Sequence, residues 1–305
     1  MIKTTTTREN IKPATLKRVC DNLYAWRRHR NMHTKSRIAM HNRTLMQIAT
    51  LNGYASGLEE KDRKKMMKEA AECWEQIVAG EVTHPLQTMV KVQDVAMREI
   101  QSQERKLARL MGKELSKLPW IVEWLDHNDR RGLSAEGLAL IIGETGDLYN
   151  YDNVAKLHRR MSVAPYYCKR LDRTHMGSTW KRLKLLKAEE WTEYGYVPRR
   201  RAMMYVAEGN LLKANFVGDP KDKVDGHYRR IYQHAKEVKM VKWASDTNKS
   251  NGKNNHAHKH AMLVMGRAML ADAWAVWTGS TFVPWPQREV MLRERAAQRL
   301  LQEAL

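Results

Sequence analysis

At 305 residues the chain is long enough to bury a substantial core, and 54 Lys plus Arg against 34 Asp plus Glu leave it a formal net charge of +20, far beyond what solubility requires. That charge points to a polyanion, and without a long uninterrupted apolar run, and with the polar start MIKTTTTREN, a nucleic acid fits better than a membrane. Cys20, Cys73 and Cys168 stand apart with no Cys-x-x-Cys pair, so they offer neither a zinc ribbon nor a disulfide framework and read as buried thiols of a reducing, cytoplasmic compartment.

Residues 15–51 predict an amphipathic helix, or two in succession. Leu16, Val19, Leu23 and Trp26, then Ile38, Leu45 and Ile48, recur at helical spacing among basic residues. One flank carries Arg27, Arg28, Arg30, Lys35, Arg37 and Arg43, with Lys17 and Arg18 ahead of them and very little acid to offset them. Such a row suits a phosphate backbone, and Tyr24 and Trp26 suit stacking on bases. The same pattern also describes core aromatics beside solvated charges. After the Asn52-Gly53 turn, a second helix sets acids early and lysines late and stops at Gly80.

From Pro85 onward Leu86, Val90, Gln93, Met97, Ile100, Glu104, Leu107, Met111 and Leu118 follow alternating steps of four and three, broken only near the end. This is a heptad seam, too narrow to be satisfied without a partner helix. The partner is either the first helices of the same chain or a second copy, which would make the protein a homo-oligomer through residues 86–118. Gln93 and Glu104 at seam positions would set the register.

Pro119 ends the seam, and the composition shifts in RGLSAEGLALIIGETGDLYNYDNVAKLHRRMSVAPYY. A turn at Gly132, beside Arg131, feeds a small-residue helix over Ala135–Ile142 that closes at residues 143–146. A turn presenting amides at a helix start suits a phosphate, which makes Arg131 and Gly132 candidate contacts. Further on, His256, His258 and His260 alternate, but the helical period that follows leaves only His256 and His260 one turn apart. Two histidines so spaced hold zinc when a third ligand arrives from elsewhere. The other reading is a basic helix start, with Lys259 on phosphate. Residues 245–255 form a polar low-complexity loop, and after Pro284 and Pro286 a last amphipathic helix is expected. The predicted fold is all-α: a basic helical and coiled-coil region over 1–118, a helical domain over 119–283 and a C-terminal helix over 284–305.

In the order and spacing of its motifs, LSAEGLALIIGETGDLYNYDNVAKLHRRMSVAPYY resembles the helix-hairpin-helix segment of the insertion sequence one-ten class of transposases and the related Piv/MooV DNA invertases. Gly132-Leu133 stands for the turn, Glu144-Thr145-Gly146-Asp147 for the closure and Ala164-Pro165 for the stop. HMGSTWKR resembles the family's basic strip, YVPRRRAMMYVAEGNLL, with Arg199, Arg200 and Arg201, its arginine-led helix, and YRRIYQHAKE with HAHKHAMLVMGRAMLADAWAVW its closing pair. The resemblance runs from near Trp26 to near Trp277. It departs at Ser134, where the hairpin's second glycine is expected, and the chain starts at the coiled coil, without the family's RuvC-like nuclease domain.

The resemblance implies a DNA-binding protein derived from a transposase or invertase, bacterial or phage-encoded and associated with the nucleoid. It is either reduced in catalysis or a recombinase subunit working with a RuvC-like partner protein. In the second case Ser178, with Lys181 and Arg182 beside it, is the nucleophile, and Mg²⁺ enters with the partner; no cofactor is expected without one. The alternative for Gly-Ser-Thr is an ordinary loop with Ser178 or Thr179 as N-cap. RNA is the other polyanion considered, since relatives in the family work with a guide RNA and basic helices with Trp and Tyr suit structured RNA.

Overall fold

The computed structural model describes residues 13–55, 57–126, 132–168, 173–176, 196–217, 224–244 and 253–280. Arg131, Ser178, Lys181, Arg182 and the expected C-terminal helix lie outside the described residues. The fold is all-α, as predicted: α1 Pro13–Leu51, α2 Glu60–Ala79, α3 Gln87–Leu115, α4 Pro119–Asp126, α5 Ala135–Thr145, α6 Val154–Arg160, α7 Pro198–Ala214, α8 His227–Ala244 and α9 Lys253–Thr278. Among the described residues no helix is long and apolar enough to cross a membrane.

The chain divides into two compact units, one of residues 24–111 and the other of residues 1–23 with 112–305. The first turns of α1 group with the part of the chain after Met111.

The 24–111 unit is built from α2 and the parts of α1 and α3 inside it. Leu45, Ile48 and Ala49 of α1, Ala70, Trp74 and Ile77 of α2 and Val90 of α3 form its apolar core, with Leu86 and Met97 packed against it. His41 meets Trp74 edge-on, their ring centroids 5.0 Å apart. Gly80 ends α2 in the left-handed conformation at φ 80°, which glycine adopts without a Cβ clash. The heptad seam of α3 finds its partner here in α1 of the same chain. The Thr44 hydroxyl is hydrogen-bonded to the Gln93 amide, and the Arg37 Nε donates to Glu104 at 2.8 Å. Both polar seam positions are thus bonded to α1 of the same chain.

In the other unit α9 is central. It packs against α4, a 3₁₀ turn at Leu148–Asn150, α6, α7 and α8. Ala257, Ala261, Met265, Met269, Leu270, Ala273 and Trp277 are buried around most of its circumference, and a helix apolar on every side is stable only where neighbours enclose it. Trp277 donates to the Asp147 carboxylate at 2.7 Å and Trp274 to the Tyr151 carbonyl at 3.0 Å. These two bonds fix the segment between α5 and α6 to the end of α9.

Within α5, Leu138, Ala139, Ile141 and Ile142 are buried, so the small-residue helix is part of the core as its composition suggested. Two short antiparallel ribbons were not foreseen: β1 Pro165–Cys168 with β2 Arg173–Met176, in register Tyr166 to His175, and β3 Phe216–Val217 with β4 Val224–Asp225. Segments of two to four residues are too short to display an alternating pattern.

Candidate nucleic-acid interface

The basic row of α1 divides by face. Arg27, Arg30, Thr34, Arg37, His41 and Thr44 recur in steps of three and four, so they form one stripe of the helix. That stripe is turned inward: Arg27 is only 5% exposed and Thr44 is fully buried. Arg37 pairs with the buried Glu104. Burial would raise the Glu104 carboxyl, but hydrogen bonds from Arg37 and Thr34 and the charges of Arg37 and Arg30 outweigh it and hold the group below the usual carboxylate range. Of the residues expected on phosphate, Arg27 is buried, Arg37 pairs with Glu104, and Arg30 is half-buried with its charge bearing on Glu104. Ile38, expected in the core, is 48% exposed, because the polar stripe takes its place.

Arg28, Lys35 and Arg43 point the other way and are exposed, along with His29 and Asn42. They follow at intervals of seven and eight residues, so at ~1.5 Å per residue they stand roughly 10–12 Å apart along one side of the helix. Among the described residues none of the three is in an ion pair. The Arg28 guanidinium lies 5.8 Å from the ring centroid of the exposed Tyr24, and Met32, at 65% exposure, sits between the first two cations. Tyr24 is thus on the candidate face while Trp26 is half-buried.

Arg105, Lys106 and Arg109 on α3 are also exposed and, among the described residues, make no ion pair. The heptad seam dominates that stretch of sequence, and the signal for these residues is the run of basic positions lying off it. The lysines of α2 behave differently. Lys64, Lys65 and Lys68 each meet a glutamate four residues away, which cancels most of their field.

In the other unit the triplet at the start of α7 meets two buried carboxylates. Arg199 Nη2 donates to both Glu144 oxygens at 2.7 and 2.9 Å, and Arg200 Nε to one of them at 2.9 Å. Arg201 Nη1 donates to Glu208 at 2.9 and 3.0 Å. Glu208 is fully buried, and burial pushes its carboxyl up to about 7 against the lowering charges of Arg201 and Arg267. Arg200 and Arg201 are consequently held inside the unit, and Arg199 keeps its side chain 45% exposed.

The Gly132 turn is not an open phosphate cradle. Gly132 adopts φ +95°, and a Cβ there would lie 3.1 Å from Leu211 Cα and 3.2 Å from Ala214 Cβ, so the turn backs onto the end of α7. Ser134, standing where a second glycine was expected, is the N-cap of α5 and accepts from the Gly137 amide at 3.1 Å. Glu136 adds a negative charge to that first turn.

Lys259 and His256 are exposed near the start of α9. Burial lowers the His260 imidazole, and the charges of Lys239 and Arg267 lower it further. His258 bonds the Tyr232 hydroxyl through Nδ1 at 2.7 Å. Among the described residues no three His, Cys, Asp or Glu side chains gather as a metal site would require. Compared with protein-family models, with curated proteins and with solved structures, the chain matches none.

Proposed function

We propose that the protein binds nucleic acid, duplex DNA in preference to RNA, through the exposed face of α1. The observation that carries this reading is the placement of Arg28, Lys35 and Arg43, exposed on one side of a helix and in no ion pair among the described residues, in a chain of net charge +20. Cations held in a row and not neutralised by their own protein attract a phosphate backbone and release its counterions on contact. Tyr24 and Met32 add apolar surface at the same face, suited to sugar and base edges. Contacts of this kind position a protein on DNA without reading its sequence. The motif order shared with transposases and invertases supports a recombination-derived, nucleoid-associated role, and it is the sole support for that narrower part of the reading.

The test is a set of titrations of the full chain with duplex DNA, single strands and structured RNA at several salt concentrations. Duplex is expected to bind tightest. Replacing Arg28, Lys35 and Arg43 together by Gln is expected to reduce the slope of log affinity against log salt by up to about 3, at roughly 0.9 per phosphate, with helical content unchanged. Structured RNA ranking first would move the reading to RNA. Failure to bind any of the three would overturn it.

A further inference from the structure

The end of α6 and the start of α7 bring together an arginine cluster that the packing of the unit does not use up. Arg159 and Arg160 close α6, and Arg199 and Arg200 open α7. Arg199 and Arg200 converge on the carboxylate of Glu144, and Arg160 Nη2 donates to the carbonyl of the same residue at 3.4 Å. The charges of Arg160 and Arg200 both bear on the Tyr151 hydroxyl, and those of Arg159 and Arg200 on that of Tyr166. Among the described residues, two guanidiniums therefore share the Glu144 carboxylate, a third bonds the carbonyl of the same residue, and Arg159 lies over the Tyr166 ring at 5.7 Å; Arg159, Arg160 and Arg199 are exposed.

What holds the two helix ends together is a strained residue. Ser162, two positions beyond α6, has φ 59°, a left-handed conformation that a residue with a Cβ adopts at a cost. In it the buried Ser162 hydroxyl accepts the Val197 amide at 2.8 Å, and Val197 is the residue that caps α7. Strain of this sort persists where the surroundings demand one geometry. Here that geometry sets the end of α6 beside the start of α7, where Glu144 bonds Arg160 through its carbonyl and Arg199 and Arg200 through its carboxylate.

Guanidiniums packed around a single anion repel one another, and a second oxyanion on the solvent side relieves that repulsion. We infer that Arg159, Arg160 and Arg199, set in place by Glu144, Arg200 and Ser162, form a second, preorganised clamp for a phosphodiester backbone. The inference rests on the nucleic-acid reading above and adds to it a site on the other compact unit, so that the chain would hold its ligand at two separate places. A guanidinium already aligned by a carboxylate needs little reordering to make paired bonds to phosphate.

The experiment titrates the full chain with one duplex DNA at several salt concentrations, comparing wild type, the triple variant Arg159→Gln with Arg160→Gln and Arg199→Gln, and the single variant Arg159→Glu. The triple variant is expected to lower the salt slope by about 2–3 and to weaken binding at least tenfold, with an unchanged circular dichroism spectrum. Should it fail to fold, Arg159→Glu decides alone, since Arg159 is exposed and, among the described residues, lies over the Tyr166 ring at 5.7 Å without an ion pair; a slope reduced by about 1 is expected. A glutamine in place of Glu144 separates a clamp from mere charge. Removing that carboxylate adds a net positive charge, yet it is expected to weaken binding severalfold because the arginines lose their template. Wild-type binding with unchanged slopes in the arginine variants, or tighter binding by Glu144→Gln, would overturn the clamp and leave the α1 reading standing. No binding by wild type overturns both.

Discussion

Two carboxylates show how differently burial can be resolved. Glu104 is buried beside Arg37 and stays ionised, whereas Glu208 is buried more deeply, and the charges of Arg201 and Arg267 do not outweigh its desolvation. For Glu208 the native state keeps a proton that the unfolded chain, with an ordinary carboxyl near 4.5, has already released. Its contribution to stability is therefore full below about pH 4.5 and is lost as pH rises through about 7. A shift of this size corresponds to roughly 3 kcal/mol. Denaturant unfolding from pH 4.5 to 8 should show the stability of wild type relative to Glu208→Gln declining by about that amount, and a constant difference would refute the assignment. Arg37 and Lys35 make the complementary comparison. Truncating Arg37 to Ala leaves a buried carboxylate without its main partner and should cost about 2–3 kcal/mol, while Lys35→Ala, on the exposed face, should stay within about 0.5 kcal/mol and lose affinity for duplex instead.

At the scale of elements, the helices were legible wherever apolar residues recur over several turns, as in α2, α3 and α9. The face each helix presents was less so. Along α1 the eye follows Trp26, Ile38 and Leu45, but between Arg27 and Thr44 the buried stripe is polar, and it is buried because α3 offers Gln93 and Glu104 opposite it. A charged residue's burial depends on a partner more than sixty residues away, which no local pattern reveals. The arginine triplet of α7 was found and its acids were not, since Glu144 and Glu208 reach it only through the fold. The same seam bears on assembly. If the bonds of Gln93 and Glu104 to α1 mark the seam's partner, Met97→Lys should lower the stability of the 24–111 unit equally at all protein concentrations. Analytical ultracentrifugation paired with unfolding curves checks this, because a seam shared between copies would make the loss concentration-dependent.

For the whole molecule, the division of labour between the units follows from where carboxylates fall. In the 24–111 unit they neutralise α2 and the inner stripe of α1 and leave the outer stripe charged; in the other unit they gather arginines into a cluster. The connectivity between the units also has a kinetic side. The stretch from Tyr24 to Met111 is an insertion in the sequence of the other unit, whose first part places Leu16, Val19, Cys20 and Leu23 in the core and ties Asn22 to Glu114 at 3.0 Å. A ribosome therefore releases the apolar start of α1 long before the residues from Gly112 onward that cover it exist. The inserted unit can complete its own core first, as domains generally fold in turn during synthesis. Until then the nascent chain is expected to carry Leu16, Val19, Cys20 and Leu23 without the later residues of their own unit, for the whole time the ribosome spends on the insertion.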